Sequence, residues 1–335
     1  MPRLRPDSRW TLVGAFAAGV LALAGTTGAS FSSQTANSAN RVSAAPDFRA
    51  PTASAAVVAK SAPYLAGKVK QGGGYRIYAN ATDTGNPASG IASITANVST
   101  VTTGQTAVAM SAGSFSAEGT SYGYRSAALT ANATLAEGAK AFTLTLTDSA
   151  SNTRLQSGFS VTVDNTAPTA ADVQAPNHGT TGKPEATDTI VYTFSEQVDP
   201  DTILSGWTGA ATNVQVDILD DALLFIGLGN DNLVVLNAAG SAQLPLGSVD
   251  LGRTDYAGGG LFGGDAHFGA SGSASTMTMS GTTITVTLGT ASGKVLTAGG
   301  NGTMQWAPVA TPTDGAANAM STTARNETGA ADREF

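Results

Sequence analysis

The sequence predicts an all-β protein, built as tandem antiparallel β-sandwiches behind an export segment. Three observations predict it. Only 12% of the residues are charged while glycine takes 40 positions, a balance that disfavours salt-bridged helices and favours short strands joined by turns. Apolar and polar residues alternate with a period of two, most clearly over Phe142–Thr147 and Phe159–Asp164, which gives each strand one buried and one wet face. The hexapeptide Thr-Asp-x-Ala-x-Asn occurs twice, at Thr147–Asn152 and Thr313–Asn318, and marks the chain as modular. A length of 335 residues accommodates two modules, each large enough to bury its own core.

Taken in order, residues 1–29 read as a secretory signal peptide. Arg3, Arg5 and Arg9 form a positive start, Thr11–Ala24 is an apolar run, and Thr26–Ala29 supplies small residues for cleavage. The run is shorter than the roughly 20 residues that span a bilayer, so a membrane partner enters only through an uncleaved signal segment. Export places the mature chain outside the cell, secreted or surface-associated. Without cysteine it has neither a disulfide framework nor a lipid attachment site. A net charge of −7, which becomes more negative when the three leader arginines leave, argues against a nucleic-acid partner.

Residues 30–62 are rich in Ser, Ala, Asn and Pro without periodicity and read as a flexible lead-in. Its opening, Ala29-Ser-Phe-Ser-Ser-Gln-Thr-Ala-Asn-Ser-Ala-Asn-Arg-Val42, resembles the mature start of camelysin and TasA-like surface proteins.

A first module is expected over 63–167. Tyr75, Ile77 and Ala79 alternate with polar neighbours, as do Ile94, Ala96 and Val98, and the hairpin described above closes it. That hairpin, Thr147-Asp-Ser-Ala-Ser-Asn-Thr153 followed by Val161-Thr-Val-Asp-Asn-Thr-Ala-Pro168, resembles the end of bacterial immunoglobulin-like modules, which commonly read T-D-x-A-G-N-T and V-T-V-D-N-T-A-P. Ser151 stands where the family usually has glycine. The resemblance implies immunoglobulin-like sandwiches joined at Asp164–Pro168.

A second module is expected over 168–318. Its Thr193-Phe-Ser-Glu-Gln-Val-Asp-Pro200 resembles the T-F-S-E-P-V-D-P strand of another bacterial immunoglobulin-like subclass, with Gln197 in place of proline. Further strands fit Val214–Ile218, Leu233–Leu236 and a hairpin over Thr276–Leu288 that turns at Ser280-Gly281. The glycine-rich span 258–272 reads as an inserted loop, and 319–335 as a polar tail.

The chemistry-bearing residues are sparse. Gly119-Thr-Ser-Tyr-Gly123 matches the pattern of a nucleophile elbow around Ser121, but that motif needs a following helix and a nearby base, and the only histidines are His178 and His267. The sequence therefore predicts no catalysis. Asp148 with Asn152, Asp164 with Asn165, and Asp199 with Asp201 put hard oxygen ligands at turns and at the module junction, the donor set calcium takes. Tight turns favour the same residue types through local backbone hydrogen bonds, so both readings stand. Trp207 and Tyr256, each in a turn-like context, are the aromatics expected to contact a ligand.

Together these features predict a secreted or cell-surface protein that acts structurally or adhesively, binding a protein or glycan and needing no cofactor beyond calcium. The alternatives are a self-assembling fibre subunit that donates the lead-in as a strand to its neighbour, and a carbohydrate-binding module.

Overall fold

The computed structural model describes residues 46–60, 64–220, 229–258 and 263–335. Nearly all of them belong to one compact unit, Asp47–Phe335. The signal peptide and the camelysin-like stretch lie outside the described residues. Among those described, the regular structure is strand throughout apart from one 3-10 turn at Pro200–Thr202, so the fold is all-β.

Nine strands precede the junction: β1 (Thr52–Ala59), β2 (Lys68–Val69), β3 (Gly74–Thr82), β4 (Ile91–Asn97), β5 (Val108–Ala117), β6 (Thr120–Ser126), β7 (Leu129–Thr130), β8 (Gly138–Asp148) and β9 (Thr153–Val163). They pair in the order β1-β3-β6-β5-β4-β8-β9-β2, with β7 against β3. Every pairing is antiparallel except β2 with β9. The core follows the period-two pattern: Tyr75, Ile77, Ile94, Ala96, Leu144, Leu146 and Val161 all point inward. Tyr78 departs from it. It sits on the other face of β3 yet is only 2% exposed, because Ala59, Ala117 and Tyr122 cover it in a small second cluster.

Eleven strands follow: β10 (Ala170–Gln174), β11 (Thr189–Phe194), β12 (Thr212–Leu219), β13 (Asn232–Asn237), β14 (Gln243–Asp250), β15 (Ala266–Phe268), β16 (Ser275–Ser280), β17 (Thr283–Thr287), β18 (Ala291–Gly293), β19 (Gln305–Ala307) and β20 (Arg325–Asn326). Their main path is β10-β11-β17-β16-β12-β13-β14-β19-β20, and β15 bridges β12 to β18. The core centres on Trp306, which meets Tyr192 and Phe194 edge-on at centroid separations of 5.1 and 5.0 Å and donates its indole N–H to Leu246 O at 2.6 Å. Such edge-to-face contacts add to the large area an indole buries.

Four sequence expectations change. Thr52–Ala59, assigned to the flexible lead-in, is an edge strand paired along its length with β3, so the first body begins near Asp47. Its alanine-rich composition hides it, because alanine reads as neither face. The stretch read as a polar tail, 319–335, packs onto the second body: β20 pairs with β19, and Met320 and Phe335 are buried. Within the glycine-rich span, Ala266–Phe268 is strand, with Phe268 fully buried. In the β16–β17 hairpin Ser280 pairs with Thr283, so the two-residue turn is Gly281-Thr282, shifted by one position, and Gly281 supplies the positive φ of 58° that the turn needs.

One buried acid in the second body predicts a pH response. Asp231 is fully buried. Its Oδ2 accepts from the N–H groups of Tyr256 (2.8 Å) and Ala257 (2.9 Å) while its Oδ1 has no partner. Burial pushes its carboxyl from 3.8 up to about 6. The folded chain then keeps a proton that the unfolded chain has already released, so stability falls as pH rises from 3.8 to about 6 and stays lower above that. Asp231→Asn is expected to flatten this window by up to about 3 kcal/mol, read from urea unfolding across it. An unchanged slope would locate the response elsewhere.

Candidate cation-holding turns

The duplicated hexapeptide folds twice into the same turn. At Thr147–Asn152, between β8 and β9, Asp148 Oδ1 accepts the Asn152 main-chain N–H (2.8 Å) and Oδ2 accepts from Asn152 Nδ2 (2.8 Å). At Thr313–Asn318, Asp314 Oδ1 accepts the N–H groups of Asn318 (2.7 Å) and Ala316 (2.9 Å), and Oδ2 accepts from Asn318 Nδ2 (2.9 Å). Each asparagine also reaches the start of its own strand body: Asn152 Nδ2 donates to Asp47 O (2.8 Å) and Asn318 Nδ2 to Asp164 O (2.9 Å). Those two residues open a second repeat, Asp47-Phe-Arg-Ala-Pro51 and Asp164-Asn-Thr-Ala-Pro168. A two-part lock, opening acid against turn, therefore occurs at the start of both strand bodies.

Each turn also demands left-handed backbone one residue before its asparagine, with φ 71° at Ser151 and 70° at Ala317. This explains the glycine of the resembling family at that position, since a side chain there costs about 1–2 kcal/mol. Ser151→Gly and Ala317→Gly are each expected to raise stability by several tenths to about 1 kcal/mol, after subtracting the greater freedom glycine has in the unfolded chain. Chemical denaturation of the single variants measures this, and a loss of stability would contradict it.

A third acid completes each lock, following the end of β3 in the first body and of β11 in the second. Asp47, Asp83 and Asp148 bring carboxylate oxygens within 4.8 Å of one another, and so do Asp164, Glu196 and Asp314. The two clusters differ in how their charge is balanced. In the second, Lys68 Nζ lies 2.6 Å from Asp164 Oδ2 and 3.4 Å from Glu196 Oε2. Burial opposes ionisation of Asp164, but the Lys68 ammonium outweighs it and holds the carboxyl below its ordinary value. Burial and the neighbouring Asp164 charge push Glu196 up. Lys60 Nζ contacts Asp199 Oδ2 (2.8 Å) and Asp314 O (2.8 Å), and Lys70 Nζ donates to Ala317 O (2.5 Å). Three lysines of the first body thus hold the lock of the second.

In the first cluster, among the described residues, no lysine or arginine pairs with any of the three acids. Asp47 instead accepts from the N–H of Arg49 (2.9 Å) and from the N–H and hydroxyl of Ser89 (3.0 and 2.9 Å). Asp83 accepts from the N–H groups of Gly85 and Gly90. The main-chain bond from Arg49 leads in holding the Asp47 carboxyl below its ordinary value. Three carboxylates gathered with no cation among them make a donor set that suits a hard divalent ion.

Of the ligands expected from sequence, Asp148 and Asp164 are members of these clusters, and Asn152 is bonded to Asp148. Asn165 is directed away: its Oδ1 accepts from Gln71 N–H and its Nδ2 donates to Leu135 O. Asp199 and Asp201 do not converge on one site. Asp199 caps the 3-10 turn and meets Lys60, while Asp201 accepts from Gly206 N–H. The expected aromatic platform is not formed. Trp207 is 5% exposed with its indole N–H donated to Ala210 O, lining a cleft with Tyr64 and Gly119, and Tyr256 is fully buried against Phe335. Ser121 lies within β6, paired with Ser116, so no strand-to-helix elbow exists there. His267 pairs with Asp217 (2.8 Å) in the other body, and His178 donates its main-chain N–H to Asp188.

Fold and site together define a class, an all-β chain of two strand bodies whose starts are locked by acidic turns. No family model matches the chain, and no curated protein matches it. Among solved structures it is similar to dimeric latent PorU from Porphyromonas gingivalis, at 18% identity and a TM-score of 0.22 over 75% of this chain. That similarity covers 20% of the PorU chain and is too loose to relate the two proteins.

Proposed function

We propose that the chain is an exported, non-catalytic structural or adhesive protein of immunoglobulin-like modules, acting outside the cell as a stiff spacer that presents its loops to a protein or glycan partner. The observation that carries this reading is the lock repeated at both module starts, the second gripped by Lys60, Lys68 and Lys70 of the module before it. A serial joint made this way resists bending, because flexing would break several partly buried charged contacts at once. Calcium belongs to the reading at Asp47, Asp83 and Asp148, since at the second joint the Lys68 ammonium takes the cation's place. The strand-donating fibre reading is weakened by β1, which completes its own sheet. The glycan-platform reading is weakened by burial of Trp207 and Tyr256.

The test combines location and stiffness. Fractionation of the producing cells should place the protein at the surface or in the medium. Limited proteolysis of the mature chain should leave the 164–169 connection intact, and the Lys60→Met, Lys68→Met double variant should expose it. A cytoplasmic protein, or a wild-type joint cut as readily as the variant's, overturns the proposal.

A further inference from the structure

The C-terminal segment folds back onto the second body and gathers three more acids. Glu327 follows β20. Its N–H donates to Met304 O (3.0 Å) and its Oε1 accepts from Met304 N–H (3.0 Å). Asp332 bridges to Gly302, whose N–H donates to Asp332 O (2.8 Å). Glu334 donates its N–H to the Tyr256 hydroxyl (2.9 Å), so main-chain bonds hold all three positions. Their carboxylate oxygens lie within 4.8 Å of one another.

A second observation is independent of that gathering. Glu334 is 2% exposed, its carboxyl's side-chain hydrogen bonds run to Glu327 and Asp332, and its buried Oε1 has no partner outside these acids. Leaving a buried carboxylate oxygen without a partner is costly. Nearby arginines do not supply one: Arg325 Nε donates to Ala171 O and Arg333 Nη2 to Gly299 O, and among the described residues no basic side chain forms an ion pair with the three acids.

We infer that Glu327, Asp332 and Glu334 form a second cation site, taking a divalent ion of the calcium class and clamping the C-terminal segment to the body. Calcium suits it better than magnesium because calcium tolerates irregular oxygen shells, and exposed Asp332 leaves an open side for water to complete one. At neutral pH the ion's competitor is a proton, since burial and then the two neighbouring acids push Glu334 up to about 9. This site stands apart from the function proposed above.

The test is calorimetric titration of the mature chain with calcium chloride at neutral pH, in a Asp83→Asn background that silences the first lock. Proteolysis of residues 325–335 is followed in parallel. One calcium should bind and protect that segment, and Glu334→Gln should weaken binding at least about tenfold and abolish the protection. Glu327→Gln, at a half-buried position, gives the same reading should Glu334→Gln fail to fold. No binding in the Asp83→Asn background, which is the result if a shared proton alone fills the cluster, overturns the inference. So does binding that both glutamine variants leave unchanged.

Discussion

Asp314→Ala is expected to destabilise the second strand body by about 3–5 kcal/mol, the largest loss from any single side chain in the locks. Asp314 is fully buried and accepts three hydrogen bonds, from Ala316 N–H, Asn318 N–H and Asn318 Nδ2. Removing it leaves three donors in a dry site, each costing about 1–3 kcal/mol less whatever water can repair. The turn also presents Asp314 O to Lys60 and Ala317 O to Lys70, so its collapse loosens the joint as well. Asp148→Ala removes only two such acceptor contacts and is expected to cost about 2–3 kcal/mol in the first body. Of the three tryptophans, Trp10 lies in the expected leader while Trp207 and Trp306 lie in the second body, so tryptophan fluorescence of the mature chain during urea unfolding reports on that body selectively. A loss under about 1 kcal/mol for Asp314→Ala would mean the turn is decoration and not a lock.

Gly247→Ala should cost about 3–5 kcal/mol by a different route. Gly247 has φ 81°, and a Cβ built there would overlap the carbonyl oxygen of Ala307. The next residue, Ser248, pairs with Ala307, so β19 must move away from β14 to make room. Trp306 moves with it and leaves its contacts with Tyr192 and Phe194. Gly281→Ala is the control. Its φ is 58° but nothing lies within 4 Å of the added carbon, so only the backbone cost of about 1–2 kcal/mol applies. Equal losses for the two variants in thermal or urea unfolding would show that the close approach at Ala307 contributes nothing.

The strands that could be read in advance are those whose one-sided burial leaves a period-two trace, such as Phe142–Thr147 in β8 and Phe159–Val163 in β9. Those that could not be read have weak traces. β1 is alanine-rich, β5 is dominated by Ser, Gly and Ala, and β19 and β20 owe their existence to pairing with each other and with β14. The lock was half visible. The repeated hexapeptide names Asp148 and Asp314, and matching Asp47-x-x-Ala-Pro51 to Asp164-x-x-Ala-Pro168 would have supplied the opening acids. Asp83 and Glu196 carry no signal, because each is a lone acid after a strand and joins its cluster only when the sheets form.

By itself the sequence determined the all-β class, the hairpin at Thr147–Asn152 and the recurrence of its hexapeptide at Thr313–Asn318, because alternation and turn chemistry act between near neighbours. Only the tertiary structure decided which carboxylates meet, that Lys68 fills one cluster and not the other, and that Trp207 and Tyr256 are core. Lys68 reaches Asp164 because β2 lies parallel to β9, with Lys68 opposite Thr162. That contact spans 96 residues, a separation at which no local pattern in the chain records the partner.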